Sequence, residues 1–126
     1  TEMYPMETNW LSAMNNHCLA VYEQFVEENY EQALTHYYKA LNFWHSYMTD
    51  EELNCLRDLG EIHRQIAEIL QFKMNDSEQA KINYDKSIEY YQLAISKNLS
   101  LSNYEHALMY KALARLYERK TRLNDC

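Results

Sequence analysis

An all-α fold of antiparallel helical hairpins is predicted by three observations. Glycine and proline each occur once in 126 residues, small and apolar residues recur at helical spacing, and that spacing is written again 47 residues later. Strand hairpins and long loops need Gly and Pro as punctuation, so their scarcity favours helices joined by tight connectors. The length suits one core but not a second independent one, and residues 1–126 are expected to form a single domain.

Helix 1 is expected from about Thr8 to Glu27, with Leu19, Ala20, Gln24 and Phe25 opening the first copy of the repeat. Helix 2, from Tyr30 to Met48, carries Ala33, Tyr37, Ala40, Leu41, Trp44, Tyr47 and Met48. Their offsets of 0, 4, 7, 8, 11, 14 and 15 fall on one face of an α-helix. Helix 3, from Asp50 to Lys73, rewrites helix 1 as Ile66, Ala67, Gln71 and Phe72. Thr49 with Glu52 supplies a capping box before it, which Asp50 with Leu53 does not. Helix 4, from Ser77 to Lys97, rewrites helix 2 as Ala80, Tyr84, Ser87, Ile88, Tyr91, Ala94 and Ile95. Asp76 or Ser77 can lend an oxygen to its first N–H groups, and Lys97 suits the negative pole at its end. Helix 5, from Ser102 to Leu123, follows a cap at Ser100 or Ser102 and opens a third copy at Leu113 and Ala114. Repeat 1 thus covers about 8–48, repeat 2 about 50–97 and a partial repeat 3 about 102–126.

The second-helix pairs Ala33–Tyr37 and Ala80–Tyr84, with Leu113, Ala114 and Tyr117 in the first-helix half, resemble the tetratricopeptide repeat family. The step here is 47 residues rather than the family's usual length of about 34, so the chain is most similar to long-repeat members such as the kinesin light chain type. The proline that usually closes each repeat is absent, with His45 and Gln92 near its place. The resemblance implies a short right-handed solenoid of about five helices. Ala20, Ala33, Ala40, Ala67, Ala80 and Ala114 would let helices approach closely, with Tyr37, Tyr84, Tyr91 and Tyr117 filling neighbouring grooves. Tyr22, Tyr38, Tyr90 and Tyr110, adjacent to core positions, are expected partly exposed.

The same resemblance implies a non-catalytic scaffold that binds a peptide or protein segment in a groove lined by successive first helices. Carried position by position, that groove is His17, Val21 and Gln24, then Arg64, Glu68 and Gln71, then Lys111, Arg115 and Glu118. Arg64, Lys111 and Arg115 could hold acidic side chains or a free C-terminal carboxylate. The alternative is a structural or self-associating helical segment of a larger multi-repeat protein. Helix 5 would be its open end, with Leu113 and Leu116 as the contact of a homo-oligomer. Lys111, Arg115 and Arg119 form an i, i+4 stripe whose repulsion calls for acidic neighbours, in a further helix or a partner. Glu23, Glu27, Glu28 and Glu31 make the first hairpin turn acidic, which could direct end-to-end stacking of copies.

Catalytic and metal signatures are missing from the sequence. There is no Glu-x-x-His pair, no HExxH, no glycine-rich phosphate loop and no GxSxG. Glu61 and His63 project to different sides of a helix and cannot share a metal, and His36, His45 and His106 read as surface or groove-wall residues. The six methionines are scattered and read as filling. Neither an enzyme nor a cofactor is expected. A net charge of −7 argues against generic binding to nucleic acid or an anionic membrane, and no run approaches the about 18 apolar residues of a membrane span. Cys18, Cys55 and Cys126 form an odd set without CxxC spacing, which favours a reducing, cytoplasmic setting. The N-x-S triplets at Asn75 and Asn98 carry little weight. The first residues lack a secretory signal and an initiator Met, so an excised segment or a mature chain is expected.

Overall fold

A computed structural model describes residues 5–47, 53–97 and 102–124. Among them are five helices and no strand: α1 (Pro5–Phe25), α2 (Tyr30–Tyr47), α3 (Leu53–Phe72), α4 (Ser77–Lys97) and α5 (Asn103–Asn124). The described part is therefore all-α. Pro5 takes the first position of α1, where its missing N–H costs nothing and its fixed φ is already helical. The expected capping box of Thr49 and Glu52, the triplet beginning at Asn98, Ser100 and Cys126 lie outside the described residues. The chain divides into two compact units, with the boundary at Cys55 and Leu56.

The first unit is the α1–α2 hairpin. Its turn places Glu28 at a φ of 55°, and the Asn29 N–H reaches back to the Glu23 carbonyl at 2.8 Å. Asn29 Oδ1 then accepts from the Gln32 N–H at 3.3 Å, capping α2. Ala13, Ala20, Ala33 and Ala40 are fully buried, and such short side chains allow two helices to close on one another. Tyr37 and Trp44 fill the space beside them.

The second unit repeats this local geometry and adds a helix. Asn75 has a φ of 57°, the Asp76 N–H reaches the Leu70 carbonyl at 2.9 Å, and Asp76 Oδ1 caps α4 through the Gln79 N–H at 3.1 Å. Each of these contacts lies 47 residues after its counterpart in the first turn. Asp76, not Ser77, is the cap. α4 approaches α3 closely at Gly60: Ser87 Oγ donates to its carbonyl at 2.6 Å, and an added Cβ would lie 3.0 Å from the Tyr91 ring.

α5 lies along α3 in the same direction, since Arg57 bonds Glu105 at 3.0 Å near both starts and Arg119 sits over the Phe72 ring near both ends. It runs antiparallel to α4, as Asp85–Lys120 at 2.7 Å and Gln92–Tyr117 at 2.7 Å require. Ser102 and Glu105 form a reciprocal capping box at its start, each N–H donating to the other's side chain at 3.1 Å. The Ser102 backbone N–H, above all, holds the Glu105 carboxyl below its usual range.

Two expectations for α5 are corrected. Ala114 and Tyr117 are exposed rather than packed between helices, whereas Leu113 and Leu116, expected at an open end, are buried. α5 seats Met109, Leu113 and Leu116 inward, the positions matching Ile62, Ile66 and Ile69 of α3, and turns the Ala114 face outward.

Candidate functional site

Each unit contains the same tyrosine–glutamine hydrogen bond. Tyr37 Oη donates to Gln24 Oε1 at 2.6 Å in the first, and Tyr84 Oη donates to Gln71 Oε1 at 2.6 Å in the second. Gln24 and Gln71, expected to line a groove, are thus committed to their own hairpins. His17 meets the Tyr37 ring edge-on, with centroids 5.9 Å apart. Val21 is exposed in the same unit.

The second polar link differs between the units. His36 Nδ1 of α2 donates to the buried Glu23 carboxylate at 2.7 Å. At the position matching His36, Asn83 Nδ2 donates to the Gln79 carbonyl at 3.0 Å, so its Oδ1 is left to accept from His63 Nδ1 at 2.9 Å. That arrangement places the proton on Nδ1 of His63. The Tyr90 ring stacks on this imidazole, 5.6 Å away between centroids.

Arg64, Lys111 and Arg115 come together in the second unit. With Glu61, Leu108 and Ala112 they line an open hollow of about 230 Å3 between α3 and α5. Arg64 donates to Glu61 at 2.7 Å on one side and to Glu68 at 2.9 Å on the other. Burial by itself would lower the Arg64 pKa, but the Glu61 and Glu68 carboxylates outweigh it and the net shift is upward. Its guanidinium is a fixed part of the wall. Lys111 and Arg115 are exposed and enter no ion pair among the described residues. The hollow therefore carries three cations against one carboxylate, two of those cations uncommitted.

Glu68 also lies 4.0 Å from Arg119, which rests 4.9 Å over the Phe72 ring. The third member of the basic stripe is thus relieved within the chain, while Lys111 and Arg115 are left facing outward. Glu118 points to solvent with Arg122 at 3.8 Å. The expected groove list missed Glu61, Leu108 and Ala112. Their signal was present: Leu108, Lys111, Ala112 and Arg115 fall on one helical face, as do Glu61, Arg64 and Glu68.

A larger hollow of about 490 Å3 lies beside α4 at Glu89, Tyr90, Gln92, Leu93 and Ser96, but gathers no convergent charge. Among the described residues no three His, Cys, Asp or Glu side chains gather as a metal site requires, and no helix is long and apolar enough to cross a membrane. Compared with protein-family models, curated proteins and solved structures, the chain matches none.

Proposed function

We propose that the chain is a non-catalytic protein-interaction module of tetratricopeptide-like construction, working in a cytoplasmic setting. In this reading the α3–α5 hollow receives an acidic side chain or terminal carboxylate of a partner segment. The observation that carries it is the pair Lys111 and Arg115, exposed and without an ion pair among the described residues, beside an Arg64 already locked in place. A carboxylate entering there meets charge-assisted donors whose geometry is partly set beforehand. The repeated turn and the order of α5 against α3 and α4 support stacked hairpins as the scaffold.

Fluorescence anisotropy with labelled hexaglutamate tests the reading. Binding that weakens with salt and is lost on combining Lys111→Glu with Arg115→Glu, at unchanged helicity, is the expected result. Equal binding by the charge-reversed chain would refute it. Arg64→Glu is a poorer test, because it would set a third carboxylate between Glu61 and Glu68 and disturb α3 itself.

A further inference from the structure

We propose, building on the α3–α5 hollow as the receptor for a partner's acidic group, that the group it prefers is a phosphorylated side chain of the partner segment. A doubly charged phosphomonoester fits this hollow better than a carboxylate does.

The wall of the hollow is neutral by itself. Both oxygens of Glu61 are engaged: Oε1 accepts from Arg64 Nε and from the Tyr91 hydroxyl, each at 3.2 Å, and Oε2 accepts from Arg64 Nη2 at 2.7 Å and from Gln65 Nε2 at 2.8 Å. Glu68 accepts from Arg64 Nη1 at 2.9 Å and lies 4.0 Å from Arg119. Two guanidinium groups thus balance two carboxylates. Lys111 and Arg115 stand outside this network, exposed and in no ion pair among the described residues. Two positive charges are left over, of which a carboxylate cancels one, whereas a phosphomonoester with about −1.5 to −2 at pH 7 cancels both. The net charge of −7 opposes any anion at long range, but screening over about 8 Å at physiological salt leaves the two adjacent cations in control.

The donors match a phosphoryl group as well. Arg64 spends three N–H groups on Glu61 and Glu68, so of the five that a guanidinium offers one remains on each Nη. Lys111 and Arg115 are neighbours at i, i+4 on α5, where their mutual repulsion is relieved most by a doubly charged guest. A carboxylate has two oxygens in one plane. A phosphoryl group has three, one for each of Lys111, Arg115 and Arg64. At about 230 Å3 the hollow is smaller than the roughly 300–1,000 Å3 of pockets that enclose whole small molecules, so it suits the end of one side chain, with Leu108 and Ala112 as the apolar part of its wall.

The test titrates labelled, capped nonapeptides into the full chain by fluorescence anisotropy, identical and uncharged except for a central phosphoserine, phosphotyrosine or glutamate. A phosphopeptide should bind roughly tenfold or more tightly than the glutamate peptide, the gain of about one further charge-assisted hydrogen bond. Lys111→Gln should shrink that preference toward equality without changing the circular dichroism, since the exposed side chain has no ion pair to lose. Inorganic phosphate should displace the phosphopeptide only at far higher concentration. Displacement at matched concentration would assign the hollow to free phosphate and overturn the proposal, as would an undiminished preference in the Lys111→Gln chain. Phosphopeptides that bind no better than the glutamate peptide would also overturn it. Hexaglutamate still held through Lys111 and Arg115 would then leave the carboxylate reading standing, and its failure to bind would remove both.

Discussion

The Tyr84 hydroxyl donates to Gln71 Oε1 at 2.6 Å, and the relationship is repeated at the same length 47 residues earlier between Tyr37 and Gln24. Both rings are fully buried, and each hydroxyl finds an acceptor in the glutamine amide oxygen. Tyr84→Phe keeps the ring but leaves Gln71 short of a partner. It should cost about 1–2 kcal/mol in urea unfolding, with the helical content retained. Tyr37→Phe should behave alike, and a neutral result at both positions would mean that the bond contributes nothing to the hairpin.

Glu28 holds a left-handed backbone at a φ of 55°, where its counterpart Asn75 at 57° is a residue type that tolerates the region. Glu28→Gly should therefore stabilise the first hairpin by about 1 kcal/mol, measured as a higher urea midpoint. Asn75→Ala should lower the midpoint. The two changes are expected to have opposite signs although they occupy matched turns.

Gly60 leaves no room beside Tyr91, whose ring would lie 3.0 Å from an added Cβ and whose hydroxyl is tied to Glu61 at 3.2 Å. Gly60→Leu should overpack the α3–α4 contact and cost about 1–3 kcal/mol despite the better helix propensity of leucine. A thermal melt reads the effect. Rescue by the additional change Tyr91→Ala would identify the ring as the obstacle.

Burial raises the Tyr84 pKa from 10.0 to about 12, with the Glu68 carboxylate adding to the rise and Arg119 opposing it. Burial also pushes Tyr91 upward, helped by Glu61. The unfolded chain releases these protons first, so the folded state binds more protons between the two values. Stability should accordingly stay full below about pH 10 and fall as pH rises toward 12. Urea midpoints across that range check the slope, which Tyr84→Phe should make shallower.

Local signals explain what was legible in the sequence. α4 begins at Ser77 and ends at Lys97 as its spacing and caps indicate, and Tyr37, Tyr84 and Tyr91 are buried as the repeat requires. α1 begins at Pro5, ahead of the expected Thr8, because proline is tolerated at a first helical position. α3 is described from Leu53 and ends at Phe72, α2 ends at Tyr47, and α5 runs from Asn103 to Asn124, each a few residues from expectation. The roles of Gln24 and Gln71 were not legible, since periodicity places a side chain on a face but does not name its hydrogen-bond partner. The exposure of Ala114 and Tyr117 depends on which helix is present to cover them, a fact that no residue type encodes. The pairings of Arg57 with Glu105 and Lys120 with Asp85 join distant segments and emerge only from the packing.

The role of the α3–α5 hollow is tested most directly by amide NMR of the full chain titrated with hexaglutamate. Saturable shifts centred on Arg64, Leu108, Lys111, Ala112 and Arg115, with the α1–α2 hairpin unmoved, are expected. Absent shifts, or weak ones spread evenly over every exposed lysine and arginine, would show that the hollow is no receptor for a carboxylate.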